Sequence, residues 1–220
     1  MIVVVGQPVL RVVGDRSTAT GGAARIAMAA VSAGSTVQLV GKVGEDPEGE
    51  ALVLALAQAA VGHVAVLRDP ARRTPRLLEP ARDVSIDAAF AAESDAVGID
   101  PADPALRPEL DPADVDLGLR YVTEFSVLVV TEHLDRELSA VVIAAAGWAS
   151  ATLIVLVEEG GSTPPDLPPD ALVLQAPPID PDGPFDILVG QLAAAIDRGT
   201  PPRDAFRELV TAAGWEPAEA

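Results

Sequence analysis

Residues Asp180 to Gly199 read DPDGPFDILVGQLAAAIDRG: a loop of alternating acids, prolines and glycine that runs into an apolar helix. A helix N-terminus presents free backbone N–H groups and the positive end of the helix dipole, an arrangement that favours an anion. Each residue of such a cradle has to offer an N–H. Pro184 has none and fixes its own φ, and Phe185 puts a bulky side chain where glycine would allow close approach. Asp186 at the start of the helix has two readings: a general base within reach of a substrate hydroxyl, or an N-cap accepting backbone N–H bonds.

A second stretch, GGAARIAMAAVSAGSTVQLVGKVGEDPEGE from Gly21 to Glu50, runs from a glycine pair (Gly21, Gly22) through an alanine-rich helix and a strand into glycines at 41, 44 and 49 with Asp46 between them. Glycines at this spacing suit a strand-to-helix turn that passes close beneath a ligand.

The two stretches together resemble the ribokinase-like sugar kinases, the PfkB superfamily. That family writes the first loop as D-T-T-G-A-G-D and the end of the second stretch as G-x-V-G-x-D-x-x-G. The resemblance implies an α/β fold, a ribokinase-like three-layer sandwich with a mostly parallel central sheet and a small β-lid. It also implies Asp186 as catalytic base, Asp180, Gly183, Pro184 and Phe185 as the phosphate or anion loop, and Gly21, Gly22, Gly41 and Asp46 on the substrate side. ATP and Mg²⁺ are the cofactors it implies for an active member.

Two departures concern the substrate. The family places an aspartate a few residues after the first strand and an asparagine in the alanine-rich helix, and both bind sugar hydroxyls; here those positions carry Arg11 and Arg25. Guanidinium groups match carboxylates and phosphates, so a pocket with both suits an anionic ligand. Alternatively both are surface arginines lying along apolar neighbours. A third departure is length. Between Val127 and Asp180 the chain resembles the middle of a ribokinase, yet the segment Ala171 to Leu174 leads almost at once into the Asp180 loop, without the family's N-x-x-E and T-x-G-x-x-G motifs. Either part of the nucleotide-binding half is missing, or Thr131–Glu137 and Leu156–Gly161 are worn versions of those motifs.

Composition sets the outer limits. The 220 residues are 49% hydrophobic but 3% aromatic, so the core must be Ala, Val and Leu packed close to a sheet. A net charge of −18 argues against a nucleic-acid backbone or an anionic membrane as partner. There is no cysteine, so no disulfide, thiol nucleophile or thiolate metal ligand. The start MIVVVG lacks a basic region and a long apolar run, so the expected location is cytoplasmic. Ala140 to Val157 is free of charge over eighteen residues but reads as a helix followed by a buried strand, flanked by acids on both sides.

Strands at 2–5, 37–43 and 63–67 alternating with helices at 23–33 and 50–60 imply a parallel sheet covered on both faces, in a single domain spanning 1–220. Residues 68–93, with Arg68, Arg72, Arg73, Arg76 and Arg82, occupy the position of the family's lid and homodimer edge; they either meet an anion or form a solvated, charge-protected edge. Asp95 to Asp116 reads as a surface connection. His63 and His133 stand too far apart for a metal pair, and Glu158 and Glu159 read as a strand end, so no metal site is expected. The C-terminal segment 180–220 carries the loop, its helix and a further helix from Pro202. Three functions follow: an impaired kinase homologue that keeps a small-molecule pocket, a working ATP-dependent sugar or nucleoside kinase, or a non-catalytic homodimeric interaction protein.

Overall fold

A computed structural model of the chain describes residues 1–79, 106–164, 166–178, 180 and 183–212. The N-terminal strand β1 (Ile2–Val5) is IVVV, buried on every residue. A strand can be apolar at every position only where both of its faces are covered. In β1 successive side chains serve opposite faces: Ile2 and Val4 join one apolar cluster, Val3 and Val5 the other.

Around β1 are built β4 (Val37–Gly44), β5 (Gly62–Asp69), β7 (Val127–Val130), β8 (Thr152–Glu158) and β9 (Leu172–Ala176), in the order β5-β4-β1-β7-β8-β9, every pair parallel. One face is covered by α1 (Gly22–Ser32), α2 (Pro47–Gln58), α5 (Pro184–Asp197) and α6 (Pro202–Ala212), the other by α3 (Pro112–Arg120) and α4 (Arg136–Ala149). The result is the expected three-layer sandwich. Ala140 to Val157 divides into α4 and β8, and no helix among the described residues is long and apolar enough to cross a membrane.

A smaller second sheet has the order β3-β2-β6, from β2 (Val9–Val13), β3 (Arg16–Thr20) and β6 (Arg76–Glu79). Among the described residues, β6 is what the segment expected to form the lid contributes to this sheet, and the hairpin β2–β3 supplies the other two strands. The turn between them opens on Gly14 at φ 58, the left-handed start that a tight hairpin favours. Residues 80–93, Arg82 among them, lie outside the described residues. The arginines before them meet acids of the chain itself, Arg68 with Glu50 at 2.9 Å and Arg76 with Glu48 at 3.0 Å.

Part of the expected surface connection at 95–116 is helical. Asp111 accepts from the Asp114 N–H at 2.8 Å, Asp114 accepts in return from the Asp111 N–H, and Pro112 follows the cap. This reciprocal capping box starts α3 where Pro and Asp content alone suggested a loop. Residues 95–105 lie outside the described residues.

Candidate functional site

Parallel α/β sheets gather ligands outside the carboxyl ends of their strands, at the point where the strand order reverses. Here that point lies between β1 and β7, since the chain builds the sheet outward in one direction through β4 and in the other through β8. The N-termini of α1 and α5 meet beside it, and the residues expected from the Asp180 loop assemble there.

Gly183, in the left-handed region at φ 73, is the N-cap of α5, and Pro184 follows it at the first helical position. A proline there forfeits little, because the first N–H of a helix has no partner within it. Phe185 is helical and packs against the larger core cluster, so its site requires no positive φ. The N–H groups of Phe185 and Asp186 point to the two carboxylate oxygens of Asp180, each at 3.4 Å. Asp180 therefore caps the helix, at long hydrogen-bond distance. Asp186 lies three residues inside the cap, so the N-cap reading of Asp186 does not hold.

The Asp186 carboxylate turns instead toward α1. It is 8% exposed, and a Cβ placed on Gly22 would lie 3.5 Å from its Oδ1. Arg25 Nη1 reaches its Oδ2 at 3.4 Å, and the same guanidinium donates to Thr20 Oγ1 at 3.2 Å and to the Asp180 carbonyl at 3.1 Å. Gly183 makes this possible, because a Cβ there would stand 2.7 Å from Arg25 Cδ. One arginine thus ties β3, α1, the Asp180 loop and α5 together.

Burial pushes the Asp186 carboxyl above the usual carboxylate range; Arg25 opposes this and the neighbouring Asp180 adds to it. A folded-state value raised in this way contributes stability that is complete below the unfolded value and lost as pH rises through the folded one. Asp186→Asn should therefore stabilise the protein at pH 7, by about 1 kcal/mol, and the gain should shrink on acidification. Urea melts at pH 7 and pH 4 measure it. A less stable variant at pH 7 would mean that pairing with Arg25 outweighs burial.

Of the other expected residues, Gly21 stands beside this cluster at the N-terminus of α1, and Arg11, Gly41 and Asp46 are placed outside it. Arg11 is exposed on β2, beside Val13, Asp15, Arg16 and Thr18, in a concavity that shares no lining residue with the one bordered by Arg25. Gly41 is buried inside β4, where a Cβ would stand 3.0 Å from the Gly6 carbonyl. Asp46 caps α2 through the Gly49 N–H at 2.7 Å and holds Thr74 through its N–H at 2.8 Å and its hydroxyl at 2.7 Å. Gly21, at φ 84, caps α1 without a side chain and passes Gln7 and Val9.

Thr20 escaped the sequence reading, and Glu132 entered it only inside the worn-motif alternative at Thr131–Glu137. Thr20 accepts from Arg25, and its position just before the glycine pair is the available signal. Glu132 stands two residues past the end of β7 and accepts from the Gln7 N–H at 2.8 Å; burial, partly offset by that bond, raises its carboxyl. An acid two residues past a buried apolar strand, VLVVTE, falls at the carboxyl edge of a parallel sheet.

No family model and no curated protein matches this sequence. Solved structures do match its fold. A putative phosphofructokinase from Staphylococcus aureus superposes with a TM-score of 0.60 at 12% identity, over 96% of this chain and 89% of that one. The fold is that of the ribokinase-like sugar kinases. The chain also matches in fold a putative ribokinase II from E. coli in complex with ATP and Mg²⁺ (TM-score 0.58, 12% identity, 94% and 89% of the two chains). Fructokinase from Xylella fastidiosa matches with a TM-score of 0.51 at 13% identity, over 96% of this chain and 69% of that one.

Nucleotide and metal can be tested against the residues present. Among the described residues no three His, Asp or Glu side chains gather as metal ligands. The N–H groups of Phe185 and Asp186 at the start of α5 point to the Asp180 carboxylate. A phosphate arriving at the start of α5 would have to displace the Asp180 carboxylate from these N–H groups.

Proposed function

We propose that this ribokinase-like chain is a carbohydrate-kinase homologue whose phosphoryl-transfer centre is held closed by its own side chains, and that it works by binding a small molecule. The observation that carries the reading is the double occupation of the centre. Asp180 sits on the N–H groups of Phe185 and Asp186, and Arg25 pairs with Asp186 at 3.4 Å. A carboxylate paired with a guanidinium is turned from a substrate hydroxyl, and a cradle that already faces a carboxylate repels phosphate. The partly exposed Arg25 suits the remaining pocket to an anionic ligand better than to a neutral sugar.

Calorimetric titration with Mg-ATP, joined to a phosphorylation assay over a panel of sugars and nucleosides, tests the proposal. The expected result is no saturable heat and no turnover from protein shown to be folded. Saturable binding in the micromolar to low-millimolar range, with turnover abolished by Asp186→Ala, would overturn it.

A second reading, a working sugar or nucleoside kinase, is favoured by the setting of Asp186. It is buried, raised above the usual carboxylate range, and faces the glycine pair at the start of α1, as a base for a bound hydroxyl would. The same assay separates the two.

A further inference from the structure

Between α1 and α5, on the outer face of the sandwich, runs a groove of about 420 Å³ lined by Arg25, Met28, Ala29, Ser32, Ile187 and Gln191. That volume lies within the range of small-molecule sites. The two helices run in the same direction, with Arg25 near Asp186 at their N-terminal ends and the Arg198 Nη1 to Ala33 carbonyl bond of 2.9 Å at the other end. The positive ends of both dipoles therefore fall at the same end of the groove. From residue 25 to residue 32 the groove floor is about 10 Å long at the helical rise.

Its floor is apolar, with Met28, Ala29 and a 43% exposed Ile187, and its rim carries Ser32 and Gln191. Its cation is Arg25. Nε and Nη1 of that guanidinium are engaged with Thr20, the Asp180 carbonyl and Asp186, while no described residue is bonded to its Nη2. A guanidinium has five donors, and those on Nη2 are available for a further oxyanion. In a chain of net charge −18 most of the surface repels anions, so a site that holds one needs a cation of its own.

We infer that the α1–α5 groove binds an amphipathic organic anion, its oxyanion head on Nη2 of Arg25 and its apolar body along Met28, Ala29 and Ile187. The groove runs along α1 and α5 away from the centre at the carboxyl ends of the strands, and binding in it does not depend on whether phosphoryl transfer occurs. The two share one side chain, Arg25, whose Nη1 holds Asp186.

Met28 makes the test direct. The chain has two methionines, Met1 and Met28, so ¹³C-methyl labelling of methionine leaves one reporter inside the groove. Octanoate, added below its micelle concentration, should move the Met28 methyl resonance saturably and leave Met1 still. The uncharged octanol should bind at least about tenfold more weakly, as expected when a charge-assisted hydrogen bond is lost. Arg25→Gln should weaken octanoate by a similar factor. Since that change also removes the partner of Asp186, exposed Gln191 provides a variant with little effect on folding: Gln191→Glu places a like charge on the rim and should weaken octanoate at least severalfold. Equal binding of octanol and octanoate, no saturable shift, or unchanged affinity in folded Gln191→Glu would each overturn the site. Absence of Mg-ATP binding has no bearing on it, so this result and the kinase result stand independently.

Discussion

Gly190→Ala should destabilise the protein by about 2–3 kcal/mol, although it replaces the helix-breaking residue of α5 with the best helix former. Gly190 faces α1, where a Cβ would stand 2.5 Å from the Ile26 carbonyl oxygen, 2.6 Å from Ala29 Cβ and 3.0 Å from the Ala30 N. All three are backbone or backbone-fixed atoms, so no rotamer change relieves the overlap, and the helices would have to move apart. Alanine gains roughly 1 kcal/mol of intrinsic helix propensity over glycine, whereas overpacking a tight contact costs typically 1–3 kcal/mol and more where backbone must shift. Packing wins. The chain supplies its own control: Gly147 in α4 has nothing within 4 Å of an added Cβ, so Gly147→Ala should gain about 0.5–1 kcal/mol. Opposite signs for the two changes in urea melts are the expected outcome; a stabilising Gly190→Ala would mean that α1 and α5 are not in contact as described. Because Arg25 and Asp186 lie one turn from this contact, the same variant should also disturb their pairing.

How much of this was legible in the sequence differs by feature, for physical reasons. The buried strands were readable because a parallel sheet covered on both faces demands unbroken β-branched runs, and IVVV and VLVV have no other economical reading. The hairpin at 9–20 was not, since R-V-V-G-D-R-S-T mixes charge into a sheet with an exposed outer face, and such strands carry little apolar signal. The Asp180 loop was recognisable from its glycine and its terminal aspartate. What Arg25 does with that loop was not, because it depends on residues more than a hundred positions apart meeting across α1 and α5. Arg11 and Arg25 were read either as one anion pocket, because they stand where the family has a substrate-side aspartate and asparagine, or as two surface arginines. The pleat of β2 turns Arg11 to the outer face of the small sheet, a separation that spacing along the chain does not encode.

Asp46 is where the sequence reading and the geometry yield opposite experiments. Read from its glycine-rich motif it contacts substrate, and its loss should abolish ligand binding with little change in stability. In the structure both of its carboxylate oxygens are taken by the chain: Oδ1 by the Gly49 N–H and the Thr74 hydroxyl, Oδ2 by the Thr74 N–H. Thr74 is 4% exposed, and its hydroxyl also accepts from the Gly44 N–H at 2.9 Å. The cluster fastens the segment after β5 onto the end of β4 and the start of α2. Burial raises the Asp46 carboxyl, but the hydrogen bonds from Thr74 and Gly49 outweigh it and leave the group below its ordinary value. The stability it contributes is then present above the unfolded value and lost as pH falls through the folded one. Asp46→Ala should remove an N-cap worth about 1 kcal/mol and strand the buried Thr74 donors at a further 1–3 kcal/mol, a total of about 3 kcal/mol. Asp46→Asn keeps an acceptor and should lose less. The deficit of Asp46→Ala relative to the wild type should narrow as pH is lowered through the carboxylate range, because the wild-type group is itself protonated there. A variant of unchanged stability that no longer binds the protein's ligand would return Asp46 to the substrate side.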